Sequence, residues 1–264
     1  MPESPAEKVW VHPSKRRRAG GDGNGPGESV GRPGGSARGG GGYAELAVTS
    51  NFTFLEGASH PEEFVERAAA LGHDAAAIAD TNTLAGVARA HVAAKEAGVP
   101  LAVGSRLVLS DPPGLEVLAF ASCRSSYARL ARLLTVGKRR AEKGECLLSL
   151  HDVVEHASGE AGSGLRLVVQ PPRVIDDPAV EVVEGLARAL GRERLSLAAG
   201  RAFLGSDGER LRQVRALGEH ARVELAAVGG VGYGWGHEVG AWGGKRGGGT
   251  GGGNGGGGGG GGGV

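Results

Sequence analysis

Apolar runs of strand length alternate with helix-period segments through the middle of the chain. "YAELAVT" (43–49) and "DAAAIAD" (74–80) are two such runs, and the spacing predicts strands there. Between them a helix is expected over 61–71, opened by Ser59 with Glu62 three residues on, the interval of a capping box. A second helix, predicted from 83 to 97, places Leu84, Val87, Ala88, His91 and Ala94 on one face and stops at Gly98 before Pro100. "LAVGSRLVL" (101–109) and "LEVLAFA" (115–121) read as strands around the turn-rich "SDPPG". A long basic helix follows over 125–143, with Tyr127, Leu130, Leu133 and Leu134 as its buried stripe, then a short helix over 149–157. Strands over 165–170, 195–200 and 223–230 alternate with helices over 178–190 and 207–221. Repeated strand–helix units predict parallel strands covered by helices, as a barrel or an open sheet.

Composition limits how much of the chain this pattern reaches. Of 264 residues 52 are glycine, concentrated at 19–42 and 243–263. Such tracts bury no side chains and carry a large ordering entropy, so both ends are expected to stay disordered. The division expected is a basic, Gly-rich arm at 1–42, one domain at 43–235 and a Gly-rich tail at 236–264. "KRRR" at Lys15–Arg18 is a basic cluster in that arm, read as a solvated tail. A net charge of +1 argues neither for nor against nucleic acid. Cys123 and Cys146 form no metal spacing and no disulfide framework. With no membrane-length apolar run and no signal peptide, a cytoplasmic protein without a membrane partner is the expectation.

Chemistry in an α/β fold is usually mounted where strands end. The first strand ends near Ala47, Thr49 and Ser50, and the second at Asp80, Thr81 and Asn82. Arg106 stands near the third end, Gly200 follows "LSLAA", and "VGGVGYG" (228–234) closes the last. Asp80 is the only carboxylate in that set, whereas a tight transition-metal site needs three or four converging N, S or O ligands. The histidines do not complete one: His12 and His237 lie in or beside the ends, and His73 precedes a strand. His151, His156 and His220 fall in helices, and His91 reads as a core histidine on an apolar helix face. His60, at a helix start after the first strand, is near the site but without a partner. There is no phosphate-cradling Gly loop and no serine elbow.

Three stretches carry a more specific signal: "YAELAVTSNFTFLEGASHPEEFVERAAALG", "AIADTNTLAGVARAHVAAKEAGVPLAVGSRLVL" and "YARLARLLTVGKRRAEKGEC". Together they resemble the amino-terminal PHP (polymerase and histidinol phosphatase) domain of bacterial error-prone DNA polymerases, relatives of the replicative polymerase III alpha subunit. The resemblance runs in order through 43–235 and implies a distorted βα barrel of seven strands. It also implies divalent metals such as Zn, Mn or Mg in family members that bind them. The first strand then ends in His-x-His, where this chain has Ala47 and Thr49. The second ends in Asp-His, where it has Asp80 and Thr81, and the third carries a glutamate where it has Arg106, after Gly104 and Ser105. Later motifs align with Gly200 and Arg201, and with Gly229, Gly230, Val231, Gly232 and Tyr233. Asp80 is the one family ligand retained. With Arg106 opposing a cation, no metal cofactor is expected, and Asp80 is expected either to cap the following helix or to pair with an arginine.

The family role implied is translesion synthesis in damage-induced mutagenesis, a nucleotidyl transfer that belongs to a polymerase body downstream of this domain. Where that body would follow, this chain reads "GGGTGGGNGGGGGGGGGV", so a truncated or frameshifted copy, inactive by itself, is expected. The function expected is therefore a metal-free structural remnant, with a polymerase body or other mutasome components as partners. Two alternatives stay open: a metal-dependent PHP phosphoesterase, and a nucleic-acid-binding module using Arg129, Arg132, Lys138, Arg139 and Arg140.

Overall fold

In the computed structural model, residues 42–159, 163–201, 203 and 205–232 are described. Residues 1–41 of the expected arm, with His12 and Lys15–Arg18, residues 233–235 of the expected domain, with Tyr233, and the expected tail at 236–264, with His237, lie outside them.

Six strands form one sheet in sequence order: β1 (Ala76–Thr81), β2 (Leu101–Ser110), β3 (Pro113–Ala121), β4 (Leu165–Gln170), β5 (Leu195–Ala199) and β6 (Glu224–Ala227). The described residues also form six α-helices: α1 (Pro61–Leu71), which precedes β1, α2 (Val87–Ala97), α3 (Arg124–Arg140), α4 (Leu150–Ala157), α5 (Asp177–Leu190) and α6 (Asp207–Ala221). The ladders β1–β2, β4–β5 and β5–β6 are parallel, but β3 runs antiparallel to both β2 and β4. The all-parallel expectation therefore fails at one strand. A two-residue connection leaves no length for the crossover that a parallel partner needs, so β3 folds back beside β2.

The expected first strand, 43–49, is not a strand of the sheet. It is extended and makes a single parallel bridge, Val48 to Val231. Its backbone bonds run to both sides: Ala79 N–H donates to Val48 O, Thr49 N–H to Val231 O, and Val231 N–H to Ala47 O. The seven strands expected are thus six strands in a curled sheet plus this segment. Too few consecutive pairs form to make a seventh ladder.

Local chemistry accounts for the helix ends. His60, not Ser59, is the N-cap of α1; its N–H donates to Glu63 Oε2 (2.8 Å), and Pro61 follows at the first helical position. Ser149 Oγ accepts from Asp152 N–H at the start of α4, and Asp176 Oδ1 accepts from Ala179 N–H at the start of α5. Helix α2 begins at Val87 rather than residue 83, and it buries Ala90, Ala93 and Ala94. His91 is exposed, so it is not the core histidine expected. The buried face through Ala90 and Ala93 lies one residue out of phase with the one inferred through His91 and Ala94.

The sheet separates two apolar layers. On one face Leu107, Val117, Leu167 and Leu197 pack against α3 to α6 through Leu130, Leu133, Val153, Leu186 and Leu217. Toward α1 and α2, Ala76 and Ile78 of β1 meet Phe64, Val65 and Ala90. The other face is lined by Ala47, Ala77, Ala79, Leu118, Phe120, Val168 and Ala198. Among the described residues no helix is long and apolar enough to cross a membrane.

Two predictions follow from this packing. Leu130 is fully buried while Tyr127 is 42% exposed, against its expected place in the buried stripe. Leu130→Ala should cost about 2–5 kcal/mol in urea unfolding and Tyr127→Ala about 0.5 kcal/mol or less; equal losses would put Tyr127 in the core. The second concerns Asp152, which accepts from Arg140 Nη1 (2.6 Å) and from Ser149 N–H and Oγ–H. Burial alone would raise its carboxyl, but the Arg140 and Ser149 donors hold it at about 2 against an ordinary 3.8. The folded form then binds this proton less readily than the unfolded chain. The stabilisation is complete above 3.8 and is lost as pH falls through about 2. Asp152→Asn should flatten the stability–pH profile in that window, and an unaltered acid limb would contradict the assignment.

Candidate functional site

Strand alternation decides which side chains reach the site. Ala77 and Ala79 of β1 face the inner layer, whereas Ala76 and Ile78 face α1 and α2. By the same period of two, Asp80 belongs with Ile78 on the helix side and Thr81 with the inner face.

The contacts of Asp80 agree with that placement. It is fully buried, and its Oδ1 accepts Ser50 N–H (2.7 Å) and Thr53 Oγ–H (3.2 Å) while Oδ2 accepts Ser50 Oγ–H (2.8 Å). Thr53 Oγ1 in turn accepts Thr81 N–H (2.9 Å), and Ser105 Oγ–H donates to the Asp80 carbonyl (2.8 Å). Ser50, Thr53 and Ser105 are themselves buried. Gly86, just before α2, is pressed against the same carboxylate: a Cβ there would lie 2.6 Å from Asp80 Oδ2. The partners are thus hydroxyls and an amide of the 50–53 loop, in place of the helix cap or arginine expected.

Arg106 occupies the inner face. Its Nη2 donates to Thr49 Oγ1 (2.9 Å), Nη1 lies 3.7 Å from Glu56, and Nε lies 4.0 Å from Glu116. The Nε is buried and has no hydrogen-bond partner. A cavity of about 240 Å³ opens beside it at the C-terminal ends of β4, β5 and β6, lined by Gln170, Gly200, Arg201, Arg210 and Gly229 among others. Arg210, on α6, is held by two carbonyls: Nη2 donates to Pro171 O (2.6 Å) and Nη1 to Arg173 O (3.3 Å). Burial pulls its guanidinium below the ordinary value.

These residues do not suit a divalent cation. Among the described residues no three His, Cys, Asp or Glu side chains converge as a metal site would require. At the positions that the resemblance matches to family ligands stand buried Ala47, Thr49 engaged by Arg106, and Gly200, Gly230 and Gly232, of which Gly230 has open space at a positive φ and Gly200 little room for a side chain. A Cβ on Gly200 would lie 2.8 Å from Val228 O, and one on Gly229 would lie 2.5 Å from Glu45 Oε2. Glu45 is buried and already accepts from Tyr43 O–H, Ala47 N–H and Gly229 N–H, and that contact pushes the Tyr43 phenol up to about 12. His60 stands apart from the cavity, with Nδ1 2.7 Å from Asn51 Nδ2. On the basic helix α3, Arg140 is engaged by Asp152, which leaves Arg129, Arg132, Lys138 and Arg139 of the proposed nucleic-acid face. Sequence reasoning missed Arg210 and Gln170. Neither carries a local signal, since α6 alone gives a polar, exposed-looking arginine.

Comparison with known proteins follows this geometry. The PHP domain family matches residues 45–197. An error-prone DNA polymerase of Caulobacter vibrioides is 43% identical over 192 residues, covering 72% of this chain and 17% of the relative. One from Rhodopseudomonas palustris is 39% identical over 198 residues, with the same coverage. The chain thus spans about one sixth of the length of these relatives. Among solved structures, a putative metal-dependent phosphoesterase from Bifidobacterium adolescentis superposes with a TM-score of 0.51 at 17% identity, covering 70% of this chain and 86% of that one. An amidohydrolase from Chromobacterium violaceum, solved with bound sulfate and no metal, gives 0.51 at 15% identity, with the same coverage. These two speak for the fold.

The Asp80 network yields a stability prediction. Asp80→Ala should cost about 2–4 kcal/mol, because it leaves three buried donors without an acceptor. Gly86→Ala should also destabilise, by about 1–3 kcal/mol, through contact with the same carboxylate. Thermal and urea unfolding measure both, and a Gly86→Ala variant of unchanged stability would contradict the close approach.

Proposed function

Because the chain belongs to the PHP domain family, we propose that its domain is the PHP module of an error-prone-polymerase-type protein and serves a structural role without metal-dependent hydrolysis. The observation that carries this reading is Arg106. A permanent cation stands at the position aligned with a ligand glutamate and donates to Thr49, at a position aligned with a ligand histidine. We read the extended 47–49 segment, bonded to both Ala79 and Val231, as the seventh strand of the family barrel. Asp80 is then a structural acid that fixes this segment against β1. The partner implied is the polymerase body that the curated relatives contain. Nucleotidyl transfer needs two metals held by paired carboxylates, so it is assigned to that body and not to residues 42–232.

Calorimetric titration of the full chain with zinc and manganese, together with hydrolysis of a chromogenic phosphate monoester, tests this. No stoichiometric binding and no metal-stimulated turnover are expected. Stoichiometric metal accompanied by hydrolysis would replace the structural reading with the phosphoesterase one.

A further inference from the structure

The mismatch between this pocket and a cation has a positive counterpart. Arg106, Arg201 and Arg210 line one cavity at the strand ends, and among the described residues that line it there is no carboxylate. The nearest acids are accounted for: Glu56 and Glu116 stand only loosely beside Arg106, and Glu45 is engaged beneath Gly229 by three donors. Three arginines border one space, and an oxyanion bound among them gains charge-assisted hydrogen bonds. Donors are also on hand. Arg106 Nε–H is buried with no hydrogen bond, 4.0 Å from Glu116, Gln170 offers an amide at the end of β4, and Arg201 is exposed at the rim. Arg210 is preorganised, since the carbonyls of Pro171 and Arg173 fix its fork in place.

We propose that this cavity is an oxyanion site that takes a phosphate group without any metal and without cleaving it. The proposal rests on the metal-free reading above and adds a ligand of opposite charge to the one the family position would hold. The phosphate is free inorganic phosphate or the terminal phosphate of a nucleotide; both present the same tetrahedral dianion to the guanidiniums. No bond is made or broken. The site supplies neither an activated water nor a converging acid–base pair.

Calorimetric titration of the full chain in chelator-treated buffer, with inorganic phosphate, with deoxyadenosine monophosphate and with deoxyadenosine, tests the proposal. Saturable binding of one phosphate-bearing ligand per chain is expected, with no binding of the nucleoside. Arg201→Gln and Arg210→Gln should each weaken it about tenfold, the worth of one charge-assisted hydrogen bond. Arg201 is exposed, so its variant remains informative if Arg210→Gln fails to fold. Tighter binding of the nucleotide assigns the nucleotide source, and equal binding assigns phosphate alone. Three results would overturn the proposal: no saturable binding, binding unchanged in folded arginine variants, or binding only after a divalent metal is added. Only the last, accompanied by hydrolysis, would also overturn the structural reading.

Discussion

One buried carboxylate organises the edge of this sheet. Asp80 has no access to solvent, and a charge so placed is tolerated only when every lone pair that matters has a donor. Ser50 supplies two donors and Thr53 a third, so the 50–53 loop is bound to the end of β1. Through Thr53 and Ser105 the same network reaches Thr81 and the adjacent strand β2. Gly86 and the start of α2 close over the carboxylate from the other side. The extended 47–49 segment gets its position from this tether as much as from its own few ladder bonds.

That anchorage governs what faces the interior. With 47–49 held in place, Thr49 Oγ1 meets Arg106, and a guanidinium is kept among small apolar side chains such as Ala47, Ala79 and Ala198. Small residues there leave room that larger ones would fill. Arg106 and Arg210 then confer a positive character on the cavity. Its polarity is opposite to that of a cation site, and the close approach of Val228 O to Gly200 works against the return of a ligand side chain there.

Much of this was legible in the sequence. Strand β4 and helix α6 fall on the residues that periodicity predicts, because their apolar spacing is regular and their ends carry breakers. Faces were less secure. His91 and Tyr127 stand at helical spacings beside the buried stripe, and the faces that pack run instead through Ala90, Ala93 and Ala94 and through Leu130, Leu133 and Leu134, which leaves both exposed. The face of Asp80 was available from the two-residue period with Ile78, but an acid at a strand end reads first as a ligand.

The sequence by itself determined the elements, the family they belong to and the loss of ligand-type residues at the strand ends, because those follow from local spacing and residue type. Only the tertiary structure decided that β3 runs backwards, that 43–49 joins by a single bridge, and which residues share the cavity. Arg106, Arg201 and Arg210 are far apart along the chain, and no local pattern links them. They meet because the curled sheet brings the middle of β2, the end of β5 and the α6 helix to one place, a long-range constraint that a one-dimensional period cannot encode.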